Sequence, residues 1–206
     1  PSGYNHFSYD ITEFLNKDGS ENTIAVQVTN KQPSSRWYSG SGIYRDVTLS
    51  YRDKVQVAEN GNHITTPKLA EQKDGNVETQ IQSKIKNTAK TLAKVYVEQQ
   101  IFTKEGKAVS DLIRSVTKSL AGNETADFKQ TILVNKPTLW TTKSYHPQLY
   151  VLKTKVYNEG QLVDVTEDTF GYRYFNWTAK DGFSLNGERM KFHGVSIHHD
   201  NGALGA

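Results

Sequence analysis

The sequence predicts an all-β chain centred on a two-sheet sandwich. Three observations predict it. Apolar residues recur at every second position in several separate runs, turn-forming residues part those runs at short intervals, and no long run carries the helical period. The clearest run sets Val77, Thr79, Ile81, Ser83 and Ile85 against Glu78, Gln80, Gln82, Lys84 and Lys86. One face is apolar or small and the other is solvated, as a half-buried antiparallel strand requires. Val95, Val97 and Ile101 share one parity in the next run. Ala126, Phe128, Ile132 and Val134 share another, as do Tyr150, Leu152, Thr154 and Val156. Asp74-Gly75-Asn76, Lys104-Glu105-Gly106, Gly122-Asn123 and Asn158-Glu159-Gly160 separate the runs. Short strands at this spacing indicate a sandwich of immunoglobulin-like architecture over 54–174.

The flanks read differently. Asp10–Leu15 has the composition of one helical or 3₁₀ turn, with Asp10 as N-cap and Glu13 at the capping-box position. Asn22–Thr29, rich in β-branched residues, and Ile43–Tyr51 read as strands. So few strands leave sheet edges open, and Pro1–Tyr9 reads as the middle of a domain, so residues 1–53 are expected to be the end of a domain that begins before Pro1. At the other end, Phe183–Phe192 reads as a hairpin around Asn186-Gly187. It runs into His193–Asp200, expected to be a strand with a polar end that opens a larger α/β unit. The expected division is therefore 1–53, 54–174 and 175–206. Unpaired strand edges at both ends favour self-association of such a piece.

Composition narrows the function classes. The 206 residues carry 25 Lys and Arg against 22 Asp and Glu, a net charge of +3. No basic block interleaves with aromatics, which argues against nucleic acid as a partner. There is no cysteine, so disulfides and thiolate metal sites are excluded. No apolar run approaches the ~20 residues of a membrane-spanning helix.

Four segments, in order along the chain, resemble the family-two glycoside hydrolases, the β-galactosidases, β-glucuronidases and β-mannosidases. The first is Phe7–Thr12 with Asn22–Val26, similar to the close of that family's N-terminal jelly-roll. The second is Ser35-Arg36-Trp37-Tyr38-Ser39-Gly40-Ser41-Gly42-Ile43-Tyr44-Arg45, the most specific of the four. The third runs from Asn135-Lys136-Pro137 and Leu139-Trp140 through Pro147–Tyr150 and Asp164 to Phe170-Gly171-Tyr172-Arg173, similar to the last strands of the family's immunoglobulin-like domain. The fourth is Leu185-Asn186-Gly187 with His193–Asp200, similar to the entry of the (β/α)₈ catalytic barrel. The resemblance implies an immunoglobulin-like sandwich flanked by the C-terminal part of a jelly-roll and the first strand of a truncated (β/α)₈ barrel. It is nearest to large multidomain β-galactosidases, some of them anchored to bacterial surfaces.

The family is retaining. Its mechanism needs two carboxyls about 5–5.5 Å apart, supplied by glutamates on later barrel strands. Neither motif occurs here. Glu188 lies in the hairpin and matches neither, so no catalytic carboxylate is assigned and the isolated segment is expected to be inactive. The resemblance puts His198 at the C-terminal end of the first barrel strand, where side chains face the active-site mouth and donate to sugar hydroxyls. The plainer alternative is a polar strand-end histidine. His199 and Asp200 either orient His198 and line the pocket or are structural. Arg36 and Trp37, in a Ser-rich loop, suit sugar contact through guanidinium donors and an aromatic face. Packing is the favoured role for Trp37, while Arg36 is carried as a substrate-binding candidate. Arg45 and Arg173 read as interdomain or buried ion-pair residues, and Trp140 and Tyr150 as sandwich core.

A metal centre is not expected. In a strand His193 and His199 share one face and His198 takes the other, so three ligands do not converge. Any magnesium or sodium ion of the parent is expected to bind outside this segment. The expected partners are a β-galactoside and the remaining jelly-roll and barrel of the same chain. The rivals are β-glucuronidase or β-mannosidase specificity on the same scaffold, and a non-catalytic carbohydrate-binding or adhesion module.

Overall fold

The computed structural model describes residues 5–29, 31, 42–43, 45–145 and 147–195. The chain divides into two compact units, the larger being Leu49–Gly194.

Eight strands build the sandwich of the larger unit. They are β1 (Val55–Thr65), β2 (Asn76–Asn87), β3 (Ala93–Thr103), β4 (Ile113–Arg114), β5 (Lys118–Leu120), β6 (Thr125–Asn135), β7 (Tyr150–Asn158) and β8 (Gln161–Phe170). One sheet has the order β1-β2-β6 and the other β4-β3-β7-β8, with β5 also pairing β3. All pairs are antiparallel. The chain changes sheets between β2 and β3, returns to pair β6 with β2, and crosses again to pair β7 with β3. This is the immunoglobulin-like pattern of strands.

The alternation in the sequence places the core. Val77, Thr79, Ile81, Ser83 and Ile85 of β2 are all buried, and their neighbours in sequence face outward. Inward residues of both sheets merge in two apolar clusters. One joins Val55, Val57, Ile85 and Phe128 to Val95, Val97, Leu120 and Val156. The other joins Val77, Ile81, Ile132 and Val134 to Ile101, Tyr150, Leu152 and Tyr172. Such interdigitation of two inner faces is what a sandwich core consists of.

Between the clusters lies a polar layer. Ser83 on β2, Gln99 on β3, Gln130 on β6 and Thr154 on β7 each stand between an upper and a lower apolar neighbour on their own strand. Asn62 joins them from β1. It gets there because β1 is bulged: Val57 pairs with Ile85, but Asn62 pairs with Ser83. Asn60 has φ 51° within the bulge, and a Cβ on Gly61 would lie 2.6 Å from the Ala58 carbonyl oxygen, so that position requires glycine. The Asn62 carboxamide then donates to Asp168 Oδ2 at 2.6 Å and Thr166 Oγ1 at 3.1 Å, both on β8. Lower down, Asp164 Oδ2 accepts from the Val57 N–H at 2.9 Å. These bonds close the β1–β8 side of the sandwich.

A short helix, α1 (Leu69–Gln72), lies between β1 and β2 and buries Leu69 in the second cluster. The sequence has too few residues there to display a helical period. β7 and β8 meet in a two-residue turn whose residues, Glu159 and Gly160, have φ of 50° and 84°. Two positive φ values match the twist of the flanking strands.

Before β1 the outcome departs from the sequence expectation. Asn22–Thr29 was expected to be a strand, yet residues 22–29 pair with no strand among the described residues. The same holds for the described residues of Ile43–Tyr51. Ile24, Val26, Val28 and Val47 are exposed. An extended run becomes a strand only when a neighbour accepts its hydrogen bonds, and none of the described residues does so. The Asp10–Leu15 segment, by contrast, forms the single 3₁₀-type turn expected of it, with the Asp10 side chain capping its start. Phe14 N–H donates to the Ile11 carbonyl at 2.9 Å and Thr12 N–H to Asp10 Oδ1 at 3.0 Å.

Candidate functional site

The third resembling segment closes where β8 ends, at Phe170-Gly171-Tyr172-Arg173, and the local geometry there follows from four residues. Gly171 lies against the Trp140 side chain; a Cβ there would sit 3.0 Å from Trp140 Cβ. Tyr172 is fully buried, edge-on to Tyr150 at 5.0 Å and to Phe170 at 5.2 Å between centroids. Its hydroxyl bonds Thr79 Oγ1 at 2.7 Å. Burial pushes the Tyr172 pKa far above its ordinary value of 10.0. Arg173 is exposed, with its guanidinium 4.8 Å from the Trp140 ring centroid. The sequence suggested a buried or interdomain ion pair for Arg173 and a core position for Trp140. Trp140 is half-buried rather than in the core, and the exposed Arg173, which is not a buried ion-pair residue, covers it through a cation–π contact. Tyr150 does lie in the core.

Three strands follow: β9 (Phe175–Thr178), β10 (Gly182–Leu185) and β11 (Glu188–Arg189). They form a separate antiparallel sheet. Its second turn is Asn186-Gly187, with φ 53° and 82°, as the dipeptide predicted. Asn186 also ties the turn to the sandwich. Its Nδ2 donates to the Trp140 carbonyl at 2.8 Å and its Oδ1 accepts from the Tyr174 N–H at 3.2 Å. Its own N–H donates to the Tyr174 carbonyl at 2.8 Å. One side chain thereby fixes how the hairpin leaves the sandwich.

The hairpin presents an aromatic face. Phe183 lies 4.8 Å from Trp177, 4.7 Å from Phe192 and 6.4 Å from Phe175, centroid to centroid. Trp177, Phe175 and Phe192 are each more than 60% exposed. The described residues His193, Gly194 and Val195 belong to no strand. The candidate substrate residues Arg36, His198, His199 and Asp200 lie outside the described residues, as does the rest of the expected first barrel strand. Among the described residues no three His, Asp or Glu side chains gather as for a metal ion.

The arrangement is that of a sandwich that hands the chain, through a pinned hairpin, to the segment carrying the candidate residues. Comparisons with known proteins agree on what this is. The sequence model of glycosyl hydrolases family 2 matches residues 61–173, and the chain belongs to that family. It is 39% identical to "Beta-galactosidase BoGH2A" of Bacteroides ovatus, over all of this chain and 23% of that protein. It is 25% identical to "Beta-glucuronidase" of Bacteroides fragilis, over 98% of this chain and 30% of that protein. Among solved structures, a glycosyl hydrolase family 2 member from Bacteroides cellulosilyticus DSM 14838 superposes with a TM-score of 0.83 at 34% identity. That match covers 95% of this chain and 26% of the other. The chain thus spans less than a third of the length of each of these relatives.

Proposed function

We propose that the chain is the supporting segment of a retaining glycosidase that hydrolyses terminal β-D-galactosides. In this reading it contributes His198, with Arg36, His199 and Asp200, to the sugar pocket and leaves the acid/base and nucleophile to residues outside it. The observation that carries the reading is the junction at Trp140, Tyr172, Arg173 and Asn186. These residues belong to the third and fourth resembling segments, and they pin the hairpin that precedes His198, His199 and Asp200 in sequence. Galactoside is preferred because the relative at 39% identity over the whole chain bears the name β-galactosidase. β-Glucuronide is the second reading, favoured by the Bacteroides fragilis relative. The segment supplies no cofactor ligand in either case.

The test is steady-state kinetics of the complete protein on chromogenic β-D-galactoside and β-D-glucuronide. We expect the galactoside to have the higher kcat/KM. His198→Ala should lower kcat by roughly 100-fold, the loss of a charge-assisted donor worth ~3 kcal/mol at the transition state. Wild-type kcat in this variant removes His198 from the site, and preference for the glucuronide overturns the substrate assignment.

A further inference from the structure

The polar layer of the sandwich is a hydrogen-bond chain with a defined direction. Asp168, as a carboxylate, only accepts, so the Asn62 amino group must face it and does, at 2.6 Å. Asn62 Oδ1 is then left to accept from Ser83 Oγ, at 2.5 Å. With its proton so committed, Ser83 Oγ must itself accept, and it receives Gln99 Nε2 at 2.9 Å. Gln99 Nε2 also donates to Thr154 Oγ1 at 2.9 Å. Each step fixes the next, so the carboxamide orientation of Gln99 is dictated from the far side of the sandwich. The result is that Gln99 Oε1, on a fully buried side chain, has no hydrogen-bond partner among the described residues. Gln130, in the same layer on β6, has both Nε2 and Oε1 buried and equally unpartnered.

Three buried polar atoms in one layer are costly unless something pairs with them. Gln130, though not Gln99, borders an opening. β6 is the edge of its sheet, and between it and β4–β5 opens a cleft of about 510 Å³ lined by Ile113, Ser115, Lys118, Phe128, Lys129 and Gln130. The unpartnered atoms define the guest. Gln99 Oε1 and Gln130 Oε1 need a donor, which excludes a bare anion. Gln130 Nε2 needs an acceptor, which excludes a metal or ammonium cation. A hydroxyl-bearing molecule small enough for a layer inside the core does both.

We infer that ordered water, reached from the β6–β4 cleft, binds at Gln99 and Gln130 and completes the polar layer of the sandwich. The hydrogen-bond chain then runs from Asp168 on one side of the sandwich to the cleft on the other. Buried waters of this kind typically make about three hydrogen bonds and persist as part of the fold.

The test is a high-resolution crystal structure of the complete protein, paired with amide exchange on Gln130→Met. We expect solvent density within hydrogen-bond distance of Gln99 Oε1 or the Gln130 carboxamide. We also expect exchange in β3 and β6 to speed up by about tenfold in the variant, which keeps the volume but strands the water. A direct Gln99–Gln130 hydrogen bond with no solvent at either residue overturns the inference. So does slower or unchanged exchange in Gln130→Met, because that is the result expected if the amide were buried without a partner. Density for a larger hydroxyl compound would replace water as the guest and equally overturn it.

Discussion

The sandwich and the β9–β11 sheet sit within one unit and obey the same period-two rule, yet they end in opposite states. In the sandwich each inner face meets another, and Ile132, Val97 and Leu152 are buried completely. In the hairpin sheet the aromatic residues stack on one another, and Trp177 remains 62% exposed. Alternation therefore states which side of a strand is apolar but not whether that side is covered. Coverage depends on a second layer, and the hairpin has none among the described residues. Stability should follow coverage rather than hydrophobicity, and the two regions can be set against each other on that basis.

The largest contrast is expected at Ile132. Truncation to alanine removes a buried side chain at the meeting point of both sheets and leaves a cavity. The cost should be about 3 kcal/mol. In the complete protein, amide exchange in β2, β6 and β7 should then accelerate by roughly 100-fold, while β9 and β10 change little. Equal acceleration in the hairpin would mean that the two regions unfold together and that the contrast drawn here is mistaken.

Tyr172 stands between the two regions, and its expected effect is smaller. Tyr172→Phe keeps the ring and its contacts but leaves Thr79 Oγ1 buried without its partner, at about 1–2 kcal/mol. A pH signature separates this from a packing defect. The folded-state pKa of Tyr172 is raised by burial, so the folded protein keeps the phenolic proton where the unfolded chain has lost it. Its contribution is fully present below the unfolded value near pH 10 and is lost as pH rises beyond it. Wild-type stability should fall more steeply than that of Tyr172→Phe above pH 10. Parallel alkaline limbs in urea titrations would show that Tyr172 ionises as freely folded as unfolded.

How much of this was legible in the sequence differs from residue to residue. The alternation of β2 could be read directly, because every inward position is small or apolar and both neighbours of the strand are in the chain. Asn186-Gly187 was equally legible, since the dipeptide meets the φ requirements of its turn without help from elsewhere. The β1 bulge was not, because what Asn60-Gly61 does depends on the Lys84 carbonyl of the next strand. Asn22–Thr29 has strand composition but no described partner, and composition does not supply one. The polar layer did leave a trace. The series Val95, Val97, Ile101 and the series Phe128, Ile132 each skip one inward position, and the residues skipped are Gln99 and Gln130. A polar residue in the inward register of two strands that pack against each other is the sign that could have found it. The site residues His198, His199 and Asp200 rest on resemblance, and Arg36 on the chemistry of its loop as well.

The smallest and most local effect is expected at Asn186. Three hydrogen bonds depend on this residue, two from its carboxamide and one from its backbone. Alanine would lose the first two and would also occupy φ 53°, a region that L residues other than asparagine and aspartate seldom enter. The cost should be about 1–2 kcal/mol. It should fall on the hairpin, because Trp140 and Tyr174 keep their other contacts with the sandwich through Tyr172, Arg173 and Gly171. Asn186→Gly separates the two causes, since glycine accepts the backbone conformation but cannot make the side-chain bonds. Exchange in β9–β11 should be fastest in Asn186→Ala, intermediate in Asn186→Gly and slowest in the wild type, with β7 unchanged throughout. If glycine restores wild-type protection, the turn conformation alone holds the hairpin, and the carboxamide bonds to Trp140 and Tyr174 contribute nothing to fixing it against the sandwich.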